Sequence, residues 1–412
     1  MNFGFLTEDF KIPAKRLIAI IILFASTFAC LVLFHIYILG EKFLTLGADW
    51  SWYYLEIGFF YAAIAFSAII GSLISERVDR RKLLWLWITL GTLATASFAF
   101  LQGLVLILLN SALLGVSFGL IFPSCYALLV DYTTSENRAR VFGIVFLVSF
   151  VVIMIAVAAF SLSSMGLTEA IIVCVGLRMT GFSTLFLDPC KREPGKREPW
   201  LTILTRRDFV FYLLPWLMFN ISDGLTKFVD VGKALPVDYG INTIGIVLQY
   251  AGSTIFVFIA GVMADWFGRK QPIIIGLVML GISYAFLGYA GSEASWLVVM
   301  VTSGIAWGLI VISYSAVLGD LAAPGSRERF FALGGIMNSF ILQVIFLTLA
   351  QTLNFSVPAS VLSSALSIVL FLSVIPVLRA KETLPESRIR AKRMKQYIDK
   401  VGKLVQESKK SQ

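Results

Sequence analysis

Gly261-Val-Met-Ala-Asp265-Trp-Phe-Gly268-Arg269-Lys270 is a polar stretch set between two long apolar runs, and Ser72-Leu-Ile-Ser-Glu76-Arg77-Val-Asp79-Arg80-Arg81 is its counterpart 189 residues earlier. The same offset, without a gap, aligns Gly115 to Asp131 with Gly304 to Asp320. Eight of these 17 positions are identical, where apolar composition alone gives about two. The aspartates Asp131 and Asp320 close the aligned block, and Arg138/Arg327 and Arg140/Arg329 extend it. The chain therefore reads as one membrane unit duplicated, with the same loop chemistry in each half.

Of the 412 residues, 58% are hydrophobic and only 14% are charged; a soluble domain carries roughly 25% charged residues. A helix needs about 20 apolar residues to cross a bilayer, and twelve such runs stand at about 17–40, 52–75, 83–101, 104–130, 141–162, 167–187, 209–229, 240–263, 271–290, 294–319, 330–352 and 358–378. Runs this long, with so little charge, exclude a β-barrel, whose strands alternate apolar and polar residues. The expected fold is an all-α integral membrane protein of twelve transmembrane helices in two pseudo-symmetric six-helix bundles. The domains read as 1–187 and 209–380, joined by a polar Pro-containing linker at 188–208 and followed by a basic tail at 381–412.

With an even number of spans, both termini lie on one side. Placing that side in the cytoplasm puts 30 of the 34 Lys and Arg residues on inner segments, as the inside-positive rule requires. The expectation is a multi-pass plasma-membrane protein with both termini cytoplasmic. The net charge of +9 then follows from topology, and no separate basic domain for nucleic acid is present. The start is too polar for a cleaved signal peptide. Cys30, Cys125, Cys174 and Cys190 form no CxxC pair, so neither disulfide nor metal is indicated. Trp50, Trp52, Tyr53 and Tyr54 read as an interfacial belt. In the tail, Met394, Ile398, Val401 and Leu404 recur at helical spacing among Lys and Arg, which suits an amphipathic helix on the inner leaflet.

A carboxylate in such a loop can face the amino terminus of a neighbouring helix, where unpaired N–H groups carry about half a positive charge, worth about 1 kcal/mol at an exposed site. The Arg next in sequence can hold a second carboxylate, and Asp131 and Asp320 are available at the ends of spans 4 and 10. Gly261 to Lys270 resembles the G-x-x-x-D-x-x-G-R-K/R loop of the major facilitator superfamily, found between helices 2 and 3 and again between helices 8 and 9. The first copy departs from it, with Ser72, Glu76 and Asp79 at the Gly, Asp and Gly positions. The resemblance implies that Asp265 faces the start of helix 5 and Glu76 the start of helix 11, latching the halves together. The expected gate comprises Glu76, Arg80, Arg81, Asp131, Arg138, Arg140, Gly261, Asp265, Gly268, Arg269, Lys270, Asp320, Arg327 and Arg329. The alternative is that these cations merely obey the inside-positive rule.

Polar groups within a bilayer are costly and mark candidate sites. Arg178 and Asn220 each lie eleven residues into a span, about 16 Å deep at 1.5 Å per residue. An Arg at that depth is expected to be paired and turned away from lipid. Asp223 and Lys227 share one helical face with Asn220 and can pair with each other. Gln249 lies deep in span 8; Glu56 and His35 lie near the outer interface. For each a bland reading stands beside the functional one: the wetted end of helix 7, a structural Arg, and interfacial Glu and His residues. Together, Asn220, Asp223, Lys227, Arg178, Gln249, Glu56 and His35 are the candidate substrate and coupling residues.

No phosphate loop, zinc spacing or nucleophile elbow appears, so no enzyme, catalytic residue or cofactor is expected. The resemblance implies a secondary transporter moving a small organic solute by alternating access with proton coupling, as a monomer. It also implies a cavity lined by helices 1, 4, 7 and 10. The alternatives are a transport-dead sensor or scaffold on the same fold, or a drug-efflux member. The sequence leaves solute, direction and coupling ion open.

Overall fold

The computed structural model describes residues 13–47, 50–75, 77–162, 166–186, 197–226, 239–288, 292–352, 358–384 and 394, and their regular structure is helical throughout. Helix α1 runs Ala14–Leu33, passes through a π-helical turn at Phe34–Ile38 and continues over Leu39–Leu46. After it come α2 (Trp50–Ser75), α3 (Arg80–Ser97), α4 (Leu104–Asp131), α5 (Arg138–Leu162) and α6 (Leu167–Thr180, ending in a 3-10 turn at Gly181–Phe186). A short helix at Trp200–Thr205 leads into the second set: α7 (Arg207–Leu225), α8 (Tyr239–Phe267), α9 (Lys270–Leu287) and α10 (Glu293–Leu321). The set ends with α11 (Arg327–Phe331, a π-helical turn at Ala332–Ile336, then Met337–Thr352) and α12 (Ala359–Arg379).

Ten of these helices are long and apolar enough to cross a membrane. The other two, α3 and α7, open on charged turns, and α7 also carries Asn220 and Asp223. Both pack as members of the bundles, α3 against α4 and α6, and α7 against α11 and α12. The count of twelve agrees with the sequence reading. Large side chains such as Phe66, Leu93, Phe100, Ile155 and Phe286 stand exposed on the outside. Apolar exposure on this scale suits lipid rather than water.

The duplication shows in the packing. Within the first half the closest-packed pair is α2 with α4; within the second it is α8 with α10. Between the halves, α5 packs on α8 and α2 packs on α11. The buried interior is mostly apolar, but Arg80, Arg138, Arg140, Asp265, Arg269, Arg327 and Glu328 are buried as well. All seven sit at the end that carries the two polar loops, here called the motif end. The two π-helical turns lie in α1 and α11, and π turns concentrate where a helix serves function.

Candidate functional site: a charged latch and a central cavity

At the motif end, Asp265 is fully buried at the end of α8. Its Oδ1 accepts the backbone N–H of Ala139 at 3.2 Å, and its Oδ2 accepts the N–H of Arg140 at 2.9 Å and the Nε–H of Arg140 at 3.1 Å. Ala139 and Arg140 stand in the first turn of α5, whose N–H groups have no partner within the helix. The carboxylate of one half thus caps a helix of the other. The guanidinium of Arg269 completes the contact from the second half, donating to Asp265. It also donates through Nε to Asp320 at 2.9 Å and through Nη2 to the Ser135 carbonyl of the first half.

The rest of the latch obeys the repeat. Arg80 pairs with Asp131, and Arg327 reaches across to the same carboxylate. Arg269 pairs with Asp320, and Arg138 reaches across to it. Each triad member stands 189 positions from its mate. One addition breaks the symmetry: Glu328, 1% exposed, accepts from Arg80 at 3.1 Å through Nε and again through Nη2; its mate in the first half is Ala139. Burial alone pulls the Arg269 pKa down, but the carboxylates of Asp320 and Asp265 outweigh it and hold the guanidinium above its ordinary range.

The motif glycines have distinct reasons. Gly268 turns with φ +101°, a conformation L side chains rarely adopt. That turn lets Glu382, just past α12, accept the N–H groups of Arg269 at 2.9 Å and Lys270 at 3.2 Å. Thr383 donates to Asp320 at 3.1 Å, and Lys270 Nζ donates to the carbonyls of Leu378 and Ala380. Gly261 lies where α8 crosses α5, and a Cβ there would stand 2.4 Å from the Ala139 carbonyl oxygen. Because the obstacle is backbone, Gly261→Ala is expected to force α5 and α8 apart, costing about 1–3 kcal/mol as overpacking does and stretching the Asp265 cap. A thermal-unfolding midpoint of the detergent-purified variant equal to the parent's would refute this. Ser72 occupies the matching position in the first half, where its hydroxyl bonds to the Ile69 carbonyl at 2.7 Å.

Of the other gate candidates, Arg329 donates to the Glu198 carbonyl at 2.7 Å and lies over the Trp200 ring. The backbone N–H of Arg81 is capped by Asp79 at 3.0 Å. Glu76 lies outside the described residues, as do Lys227, Cys190, residues 188–196 of the linker and all of the tail beyond Leu384 except Met394.

Towards the opposite end, a cavity of about 420 Å³ opens between the halves. It brings together three candidates from different helices: His35 of α1, Asp223 of α7 and Gln249 of α8. The Tyr61 hydroxyl lies 3.4 Å from the His35 ring nitrogens. Gln343 of α11 donates to Asp223 at 3.2 Å, and Gln249 donates to Ser303 at 3.3 Å. The wall is drawn from α1, α2, α5, α7, α8, α10 and α11, so it is wider than the four helices implied by the resemblance. Helix α4 instead enters a second, apolar compartment of about 140 Å³ through Phe122 and Tyr126. The two compartments share Phe28, Trp307 and Phe340.

The remaining candidates sit elsewhere. Asn220 is 5% exposed and donates to the Trp216 carbonyl at 2.7 Å. Arg178 is buried inside the first half and does not face lipid. Its guanidinium donates to Ser117 at 3.2 Å and Thr95 at 3.5 Å and lies 4.2 Å from the Phe118 ring centre. Glu56 is fully buried between α2 and α4, accepting from the Ser111 hydroxyl. Sequence reasoning missed Glu328, Tyr61, Tyr250 and Gln343. Gln343 was the most findable, as an amide side chain, like Asn338, within the run at 330–352.

Comparisons with known proteins agree with this architecture. The model of the Major Facilitator Superfamily matches residues 16–345. The fold is similar to the crystal structure of the human organic anion transporter MFSD10 (TETRAN), with a TM-score of 0.72 at 12% identity, covering 89% of this chain and 100% of that one. A search of the curated proteins finds no match. Most of the chain fits the family model, and its twelve helices, paired halves and doubled loops form one fold: the chain belongs to the Major Facilitator Superfamily and is a multi-pass membrane transporter.

Proposed function

We propose that this protein carries a small organic solute across the plasma membrane by alternating access, with protons as the coupling ion and the motif end facing the cytoplasm. The observation that carries the reading is one cavity between the halves, lined by both, beneath an end shut by ion pairs that cross between them. Repeat-related bundles rocking about a midplane site would open and close these two ends in turn. The inside-positive count supports the cytoplasmic placement of the motif end. Asp223 and His35 are the groups in the cavity wall able to gain or release a proton as the site loads and empties. The organic anions named for the structural neighbour are not transferred, since 12% identity shows the fold alone.

The test is solute-driven proton movement in proteoliposomes, monitored with an internal pH dye across a metabolite panel. At least one small organic solute is expected to drive proton movement as it crosses. Asp223→Asn is expected to weaken uptake and to remove the dependence of the uptake that remains on the pH gradient. A panel in which nothing crosses overturns transport. A solute that crosses with no proton movement overturns the coupling alone.

A further inference from the structure

We infer that the solute is an organic amine or ammonium ion bearing an aromatic or similarly compact apolar body; this deepens the transporter reading and rests on it. Among the described residues, Asp223 is the one carboxylate in the wall of the larger compartment and no Lys or Arg lines it. The same wall carries Tyr61, Phe150, Tyr250, Trp307 and Phe340. Aromatic faces carry negative partial charge and attract an ammonium group, more strongly where water is scarce. A carboxylate attracts the same group and repels an anion, and the attraction grows as the local dielectric falls. The amide oxygen of Gln249, in the same wall, adds an acceptor for ammonium N–H groups. Gln343 already donates to Asp223 at 3.2 Å, which fixes the carboxylate's direction.

The apolar compartment accounts for the rest of the solute. Its volume of about 140 Å³ is close to that of an engineered apolar cavity, about 150 Å³, known to hold one benzene ring. Phe28, Trp307 and Phe340 border both spaces, so the two adjoin, and the proposed solute places its charged head at Asp223 and its ring past these three side chains. Together the spaces fall within the usual range for small-molecule sites, about 300–1,000 Å³. Lys227 stands four residues beyond Asp223 in the sequence and outside the described residues. The test therefore reads head-group charge directly.

The probes share a 2-phenylethyl body and differ in the head: 2-phenylethylamine, (2-phenylethyl)trimethylammonium, 2-phenylethanol and 3-phenylpropionate. Binding to the full chain in detergent at neutral pH is read by thermal shift and by tryptophan fluorescence, since Trp307 borders both compartments. Both cations are expected to stabilise the protein in proportion to their concentration and to change the emission. The alcohol should bind more weakly and the carboxylate not at all. Asp223→Asn should weaken the cations about tenfold or more, as expected when a hydrogen-bonded charge loses its partner. Carboxylate binding that equals or exceeds cation binding, cation binding unchanged by Asp223→Asn, or no cation binding at all overturns the assignment. The comparison of heads on the parent protein stands even if the variant fails to fold. Flux separates the amine site from the transporter reading beneath it. Cations that bind as described but never cross vesicles defeat the transporter and leave the site. An anion that binds and crosses defeats the site and leaves the transporter.

Discussion

Asp265→Asn unlatches the motif end. The wild-type carboxylate is fully buried and holds two backbone N–H groups of α5, the Nε of Arg140 and the guanidinium of Arg269. Asparagine keeps the shape but removes the charge and replaces one acceptor with a donor. Two buried guanidiniums then lose a counter-charge, and one α5 amide faces an N–H. Breaking a buried pair from one side costs about 3–5 kcal/mol, and the cost falls on the state closed at this end, where the contact exists. A cysteine placed at Ser315, in the wall of the apolar compartment, on a background lacking the native cysteines, reports access from the motif end. Its labelling rate should rise at least tenfold, since about 1.4 kcal/mol is already a factor of ten in a two-state equilibrium. Solute flux should fall while membrane insertion is retained. Labelling that stays at the parent's rate would remove Asp265 from the latch.

That magnitude is where sequence and structure part company. The motif reads as a helix-end carboxylate worth about 1 kcal/mol if exposed; burial, which raises the cost severalfold, is a property of how α5 and α8 meet. The register of the repeat was legible because 189 residues separate each mate, so Asp131, Asp320, Arg138 and Arg327 could be nominated in pairs. Glu328 was not, because its mate is an alanine and it sits between two arginines that already explain the loop. Hydropathy located the twelve helices, including α3 and α7, but carries no information on which faces turn inward. Asn220, Asp223 and Lys227 share a face of one ideal helix; the described pair nonetheless separates, Asn220 turning to the Trp216 carbonyl and Asp223 lining the cavity. His35 read as an interfacial residue, yet it lies in a π-helical turn and lines the cavity beside Tyr61. A π turn adds a residue to the helical repeat and so re-aims the side chains beyond it, and no local composition announces it here.

The latch is a paired device, and its two arms differ in how much of their charge is satisfied within one half. In the first, Arg80 holds Asp131 from its own half and Glu328 from the other. In the second, Arg269 holds Asp265 and Asp320, both from its own half, and reaches the Ser135 carbonyl of the other. Under the proposed alternating access, Arg269 organises the carboxylates that Arg138 and Arg140 meet each time the halves close. Opening this arm separates Arg138 and Arg140 from a prearranged acidic pair rather than dispersing single charges. A prearranged partner costs less to order at each closure.

Arg269→Lys should consequently fail although it preserves charge. The guanidinium directs Nε, Nη1 and Nη2 to three different acceptors, Asp320, Asp265 and the Ser135 carbonyl; a fully buried ammonium on a flexible stem has no such fixed fork. Losing one charge-assisted bond costs about 1.5–3 kcal/mol, so the lysine variant should label faster at Ser315→Cys and unfold at lower temperature. Arg269→Ala, which leaves Asp265 and Asp320 short of a cation, should cost about 3–5 kcal/mol and exceed the lysine effect. The pH dependence has a definite sign. Nearby carboxylates raise the folded-state pKa of Arg269 above its ordinary value. Its contribution is thus complete below the pKa of an unfolded arginine and is lost only as pH climbs through a still higher value. In the parent, labelling should not accelerate between about pH 7 and about pH 9, a range in which the neighbouring carboxylates keep Arg269 charged. In Arg269→Lys it should accelerate towards the alkaline end, because a buried lysine loses its proton far more readily. An alkaline rise in the parent, or a lysine variant with the parent's rate and pH profile, would show that closure depends on charge alone and not on the fork that Arg269 provides.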